Sequence, residues 1–215
     1  MKEQNVIRFY LLATTLKEKI RSGLLLWKVK KERLESVAEH IYGTCILAIS
    51  IDSEYQLNIN LDKVLKMLVL HELEEVIIGD ITPFDNVSSE EKLIRGREAV
   101  KLVLKGLVKK DEYEALLEEF NAHYTNESKF AYMCDKLECD IWMKVYEDYG
   151  YNDINQSNLK PLKSVKIKEI VANGENKIAN IFIEFDRDKY KDNIVFLNLL
   201  DYIKNNNLKN LNKVT

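Results

Sequence analysis

The stretch LVLHELEEVIIGDITPFD, residues 68–85, decides the fold and raises the question of function. A strongly apolar segment takes on one histidine and three glutamates within five positions, His71 to Glu75, and then stops at Gly79 followed by Asp80. Burying polar groups costs free energy unless something satisfies them. The stretch therefore predicts a buried helix whose polar side chains need a partner elsewhere in the chain or bound to it.

The helix expected at 61–78 is apolar on nearly every side, which is typical of a helix at the centre of a bundle. His71 and Glu75 are four residues apart and share one side of this helix, and Glu72 lies a further step round. Gly79 is well placed to end the helix. The alternative interpretation is a satisfied core histidine, with glutamates that reach solvent at the helix end.

Two other segments carry the same residue types. Ser36 and Glu39 form a capping-box pattern, which predicts a helix start with His40 in its first turn. Asp135 lies in the amphipathic pattern of YMCDKLECDIWMKVYEDYG, residues 132–150. Imidazole and carboxylate groups ligate Mn, Co, Zn, Fe and Ni alike. Three helices that supply such groups to a bundle interior predict a divalent metal site, without choosing the metal.

Helical periodicity runs through almost the whole chain, which has only seven glycines and two prolines. The expected fold class is all-α, with helices at about 3–21, 36–53, 61–78, 88–108, 111–121, 126–148, 161–173 and 175–206. The polar stretch at 149–161 predicts a boundary between a domain at 1–150 and a helical C-terminal extension at 151–215. We expect this extension to pack on the domain or on a dimer partner. IFIEF at 181–185 could form a strand, but the flanking pattern favours helix.

The composition argues against several classes of protein. A formal charge of −3, with lysines and acids interspersed, gives no signature of binding to a nucleic-acid polymer. No apolar run is long enough to cross a bilayer, and the N-terminal segment is amphipathic without a signal-peptide cleavage site. Three cysteines without a CxxC spacing favour a reducing compartment. We expect a cytoplasmic protein with no membrane partner.

Three motifs occur in order along the chain: ESVAEH at 35–40, HELEEVIIGDITP at 71–83 and MCDKLE at 133–138. Together they resemble the signatures of the HD-domain metal-dependent phosphohydrolases. The similarity is greatest to the 5′-deoxynucleotidases, a branch that hydrolyses deoxyribonucleoside 5′-monophosphates to nucleoside and phosphate. The resemblance covers about residues 5–148, includes an EK segment in DNVSSEEKLIRGREAV, and implies an HD-domain helical bundle.

The resemblance also implies roles for individual residues. It implies that the metal ligands are His40, His71, Glu72 and Asp135. It implies that Glu75 and Asp80 act beside the metal, where they orient or deprotonate the attacking water or protonate the leaving group. For contact with a nucleotide or another phosphate ester, Trp27 and Lys92 are the candidates. A core tryptophan and an ordinary surface lysine are their alternatives.

Two positions depart from the family pattern. The His-Asp pair that names the family is His71-Glu72 here, so the alternative is a catalytically retired module for nucleotide binding or oligomerisation. The deoxynucleotidases also hold phosphate with an arginine before ESVAEH, and four residues remain open for this role: Arg21, Lys28, Lys30 and Arg33. Finally, the isoleucines and leucines of 178–203 suggest an apolar helical surface, which leads us to expect a homodimer.

Overall fold

The chain folds into α-helices joined by turns, as a computed structural model shows for residues 1–209, 211 and 213. The helices are α1 Lys2–Thr14, α2 Ser22–Leu26, α3 Val37–Tyr55, α4 Leu61–Leu70, α5 Glu75–Ile78, α6 Ser89–Leu104, α7 Lys110–Ala122, α8 Asn126–Asp148, α9 Val165–Ala172, α10 Ile178–Asp186 and α11 Ile194–Asn205. Short 3-10 turns lie at Thr15–Lys17, Lys160–Lys163 and Arg187–Tyr190. Within the described residues, strand-like pairing is limited to one isolated bridge, so the all-α prediction is confirmed.

Two compact units make up the chain. The first unit comprises Met1–Ser22 and Glu35–Asp135, and the second comprises Gly23–Leu34 and Lys136–Thr215. The expected division at residue 150 stays a prediction. No helix in the described part of the chain combines the length and apolar character needed to cross a bilayer.

In the first unit, α3 packs on α4, α4 on α7, and α6 on α1, α5 and α7. The face of α4 that enters this core carries Val64, Met67 and Leu68, all of which are fully buried. Burial of such side chains is the main favourable contribution to folding. At the other end of the unit, the Arg8 guanidinium donates to three main-chain carbonyls where α6 ends, which otherwise lack helical partners. The core thus holds α3, α4 and α6 in fixed positions.

The second unit has its own apolar core. The described side chains that form it in α10 and α11 include Ile178, Ile181, Ile183, Phe196, Leu200 and Ile203. The expectation that the isoleucines and leucines of 178–203 form an exposed dimer surface is therefore wrong for most of them. Helical periodicity marks an apolar face, and here that face is covered within the same chain.

Two of the expected helices are interrupted. The helix expected at 61–78 breaks into α4 and α5 around a turn at 71–74. The helix expected at 175–206 breaks into α10 and α11, because Asn193 caps a new start: its side chain accepts from the amides of Val195 and Phe196. IFIEF lies in α10, so the preference for helix there is confirmed.

The signals for helix ends agree well with the structure. Ser36 and Glu39 form the complete capping box at the start of α3. Ser88 caps α6 by accepting from the Glu91 amide, and Gly79 follows α5 with φ of 75°, a left-handed value that favours glycine. The helix expected at 3–21 ends early at Thr14, whose hydroxyl bonds back to the Tyr10 carbonyl.

Removing the Ser36 cap should destabilise the first unit. We expect Ser36→Ala to lower the free energy of unfolding by about 1 kcal/mol, because the Glu39 amide loses its side-chain acceptor. Urea unfolding followed by circular dichroism measures this change. Ser50→Ala is the matched control, since that hydroxyl bonds an Ile46 carbonyl inside the same helix. Equal losses in the two variants would contradict the assigned cap.

Candidate metal centre

The turn between α4 and α5 sets the orientation of His71. From Leu70 onward the backbone hydrogen bonds join residues three positions apart, as in a 3-10 helix. The Leu73 amide donates to the Leu70 carbonyl, and the Glu75 amide donates to the Glu72 carbonyl, both at 3.0 Å. His71 Nδ1 lies 2.7 Å from the Leu68 carbonyl. Since a carbonyl can only accept, Nδ1 is the donor, and in the neutral ring Nε2 keeps its lone pair.

Four side chains from three helical segments of the first unit meet around this Nε2. His71 Nε2 lies 3.4 Å from Glu72 Oε1 and 3.7 Å from Asp135 Oδ1. His40 Nε2 lies 3.0 Å from the same Asp135 oxygen and 3.7 Å from the same Glu72 oxygen. One donor atom from each residue lies within 4.8 Å of all the others. The four residues predicted as ligands are therefore brought together.

Each side chain is held by the element that carries it. The capping box at Ser36 fixes the first turn of α3, where His40 is completely buried. Asp135 lies in α8 and is 4% exposed, while Glu72 leaves the turn at 71–74 with a side chain that is 12% exposed. Such burial of carboxylates is uncommon unless they are paired or bind a cation.

The electrostatics of Glu72 show how strongly the site favours negative charge there. Burial alone would raise the pKa of the Glu72 carboxyl, but electrostatic interactions with His71 and Arg21 outweigh burial and lower that pKa to about 2. Arg21 Nη1 lies 3.3 Å from Glu72 Oε1. The carboxylate is therefore ionised at any physiological pH.

This donor set fits a divalent cation. His71 Nε2 is buried and has no hydrogen-bond partner among the described residues, which is the condition of a ligand atom aimed at an ion. Ligands at about 2.0–2.2 Å from one ion must lie within about 4.4 Å of each other, close to the separations seen here. Glu72, although one methylene longer than the family's aspartate, places its Oε1 near both histidines. The site needs only small adjustments to close around an ion.

The two carboxyl groups predicted to be catalytic, Glu75 and Asp80, follow His71 and Glu72 closely in the chain. Glu75 is 1% exposed, and its Oε2 has no hydrogen-bond partner among the described residues. Burial, reinforced by the carboxylates of Glu72 and Asp80, raises the pKa of Glu75 to about 10. Asp80 Oδ2 accepts a hydrogen bond of 2.6 Å from the Ser22 amide. Glu75 is thus poised to hold a proton, and Asp80 is fixed in place.

The two residues predicted to contact substrate have other partners. Trp27 is 1% exposed and its ring lies 5.6 Å from that of Phe182 in the core of the second unit, which agrees with the alternative of a core tryptophan. Lys92 is half-buried and its Nζ donates to the Ile81 carbonyl at 3.0 Å. Contact of either side chain with substrate stays a prediction.

The structure separates three of the four candidates for the phosphate-binding cation. Arg21 contacts the cluster through Glu72. Lys28 Nζ instead bonds the Ser157 carbonyl, and Lys30 pairs with Asp153. No sequence signal distinguished Arg21, because its contact joins residues 51 positions apart in the chain.

The comparison with known families agrees with this geometry. A family model described as the HD domain matches residues 13–179, a span that contains the whole cluster together with Glu75 and Asp80. The chain therefore belongs to the HD-domain family, and the resemblance seen in the sequence is confirmed. A curated relative, the 5′-deoxynucleotidase HDDC2 of Bos taurus, is 34% identical over 148 residues, or 67% of this chain and 69% of the relative.

Solved structures show the same fold. A conserved hypothetical protein from Pyrococcus furiosus superimposes with a TM-score of 0.58 at 28% identity, covering 77% of this chain and 99% of that one. An HD-domain phosphohydrolase from Listeria innocua gives a TM-score of 0.56 and covers 93% of this chain and 98% of that one. At 18% identity the second likeness concerns the fold alone.

Removing His71 should remove the metal. We expect wild-type protein incubated with Mn²⁺ and desalted to retain about one ion per chain, and His71→Ala to retain almost none, because the variant lacks an inward-facing donor. Elemental analysis by mass spectrometry measures the ion content. His123→Ala is the matched control, since His123 is the histidine outside the cluster. Equal ion content in the two variants would refute the site.

Proposed function

We propose that this protein is a metal-dependent phosphohydrolase that releases phosphate from deoxyribonucleoside 5′-monophosphates. The observation that carries the proposal is the convergence of His40, His71, Glu72 and Asp135, with His71 Nε2 buried and without a hydrogen-bond partner among the described residues. Membership of the HD-domain family supports hydrolysis, and the substrate class rests on the curated relatives, which are named 5′-deoxynucleotidases.

The four clustered residues would hold the ion. When bound, a divalent ion polarises a phosphoryl oxygen and lowers the pKa of a coordinated water. Two imidazoles and two carboxylates suit Mn, Co, Zn, Fe or Ni, so the metal stays open. The hydrogen bond from His71 Nδ1 to the Leu68 carbonyl would keep Nε2 directed at the ion, because it fixes the orientation of the ring.

Glu75 and Asp80 would complete the chemistry. Glu75 lies one turn beyond His71, and its buried Oε2 is a suitable atom to exchange a proton with the attacking water or the leaving oxygen. Asp80 is oriented by the Ser22 amide, and a carboxylate fixed in this way can accept from a sugar hydroxyl or steer the leaving group.

Arg21 is the residue that we propose for the phosphate. Its guanidinium already reaches the edge of the cluster at Glu72, and arginine matches phosphate geometry with two parallel donors. Because Ser22 follows directly and bonds Asp80, the segment 21–22 borders the site with both a side chain and an amide. The substrate phosphate would then lie between Arg21 and the ion.

Purified protein should release phosphate from a panel of deoxynucleoside monophosphates in added Mn²⁺, Co²⁺ or Zn²⁺. We expect Glu75→Gln to keep the bound ion but to lose about 10²–10⁴-fold in kcat, because the variant cannot exchange a proton. Phosphate release measures the rate and elemental analysis the ion content. Undiminished turnover in Glu75→Gln would contradict its role.

The rival function is a retired module that binds a nucleotide without hydrolysis. Glu72→Asp, which restores the family's residue, separates the two. Activity in the natural chain supports an enzyme, whereas activity only after Glu72→Asp would identify the natural chain as retired. Nucleotide binding without turnover in either form would support the module.

We also propose that the protein is a cytoplasmic homodimer. The apolar side chains on one side of α1 are each more than half exposed: Val6, Ile7, Tyr10 and Leu11. Exposed apolar area of this kind marks association surfaces. Light scattering should give twice the chain mass of 25.2 kDa, and Leu11→Glu should restore the single-chain value. Val108→Glu, at an isolated exposed valine, is the control; a monomeric wild type would contradict the proposal.

A further inference from the structure

The loop that carries Asp80 is held by three different partners. Asp80 accepts from the Ser22 amide, and the Asp85 carboxylate accepts from both the amide and the hydroxyl of Thr82. Between these two points lies Ile81, whose carbonyl accepts from Lys92 Nζ at 3.0 Å. The loop is therefore tied to a second helix, α6, at the residue next to Asp80.

The Ile81 carbonyl has no suitable donor among the four residues that follow it, 82–85. Pro83 lacks an N–H, so the residue two positions on has nothing to donate. The Phe84 amide bonds the Thr82 hydroxyl, and the Asp85 amide bonds the Thr82 carbonyl. A part-buried carbonyl without a partner costs about 1–3 kcal/mol. The ammonium of Lys92 supplies the donor that the backbone of this loop cannot.

The same face of α6 fits closely against the neighbouring turn. Lys92 and Gly96 are four residues apart and share that face. A Cβ at Gly96 would overlap the carboxylate of Glu74, which lies directly before Glu75. The missing side chain at Gly96 therefore leaves room for Glu74. This close approach fixes α6 beside both the turn that carries Glu75 and the loop that carries Asp80.

We propose that Lys92 is a positioning residue, which holds Asp80 in place through the Ile81 carbonyl and does not contact the substrate phosphate. The expected effect on turnover rests on the proposed function, whereas the expected effect on the loop does not. In this proposal the lysine of the EK segment has its partner within the protein. Its ammonium donates to the backbone of the loop, which explains why a half-buried lysine is tolerated here.

Lys92→Met tests the proposal, with Lys101→Met, an exposed lysine on the same helix, as the matched control. We expect amide hydrogen exchange across residues 80–85 to become at least about fivefold faster in Lys92→Met alone, because the loop opens more often. We also expect kcat to fall about 10–100-fold through misplacement of Asp80. KM for the deoxynucleotide, inhibition by inorganic phosphate and ion content should change less than about twofold. Lys92→Arg, which keeps a donor, should recover most of both losses.

The exchange measurement needs no turnover, so it distinguishes a failure of this proposal from a failure of the proposed function. If the wild type hydrolyses no nucleotide, faster exchange in Lys92→Met still supports the loop contact. Unchanged exchange overturns the proposal whatever the activity. A rise in KM together with weaker phosphate inhibition, at constant kcat, would also overturn it, because that pattern indicates direct contact with phosphate.

Discussion

The structure depends on two carboxylates, Glu72 and Asp135, that lie together in a buried space lined by two imidazoles. Taking a charged group out of water costs several kcal/mol, and placing like charges side by side adds repulsion. His40, His71 and Arg21 offset part of this cost by lying within 4 Å of a carboxylate oxygen. A divalent cation would offset the rest. The apolar helix that leads to Glu72 would then tolerate this acid because the ion would be a partner common to both carboxylates.

The backbone around the cluster orients the side chains that meet there. Tightening of the backbone at 71–74 lets one short segment direct His71 and Glu72 into the cluster while Glu75 follows one turn later. The bond from His71 to the Leu68 carbonyl fixes the tautomer, so that the other ring nitrogen can serve as a ligand. A regular α-helix through this segment, as the apolar pattern suggests, would give a different set of backbone bonds.

Features with a local cause could be predicted from the sequence. The cap at Ser36 and the end at Gly79 each depend on residues only a few positions away, and the four side chains that converge lie in three short motifs. The break at 71–74 was missed because apolar periodicity continues across it. Likewise, periodicity in 178–203 showed an apolar face but not that the same chain covers it.

Features that depend on distant parts of the chain could not be predicted. Arg21 meets Glu72, and Ser22 meets Asp80, across more than 50 positions of the chain. The 3-10 turn at Thr15–Lys17, just before them, packs on α3 and α5 and brings them to this place. The partner of Lys92 depends equally on the position of α6 beside the loop. Arg21 and Lys92 were candidates from the sequence, but the choice among their roles required the fold.

The most direct test of the account is a crystal of the full chain grown with Mn²⁺, with diffraction measured at the manganese absorption edge. The account predicts one strong anomalous peak within about 2.0–2.3 Å of His40 Nε2, His71 Nε2 and an oxygen of both Glu72 and Asp135. A peak at any other place in the chain would contradict it. So would the absence of a peak between these four residues at saturating manganese.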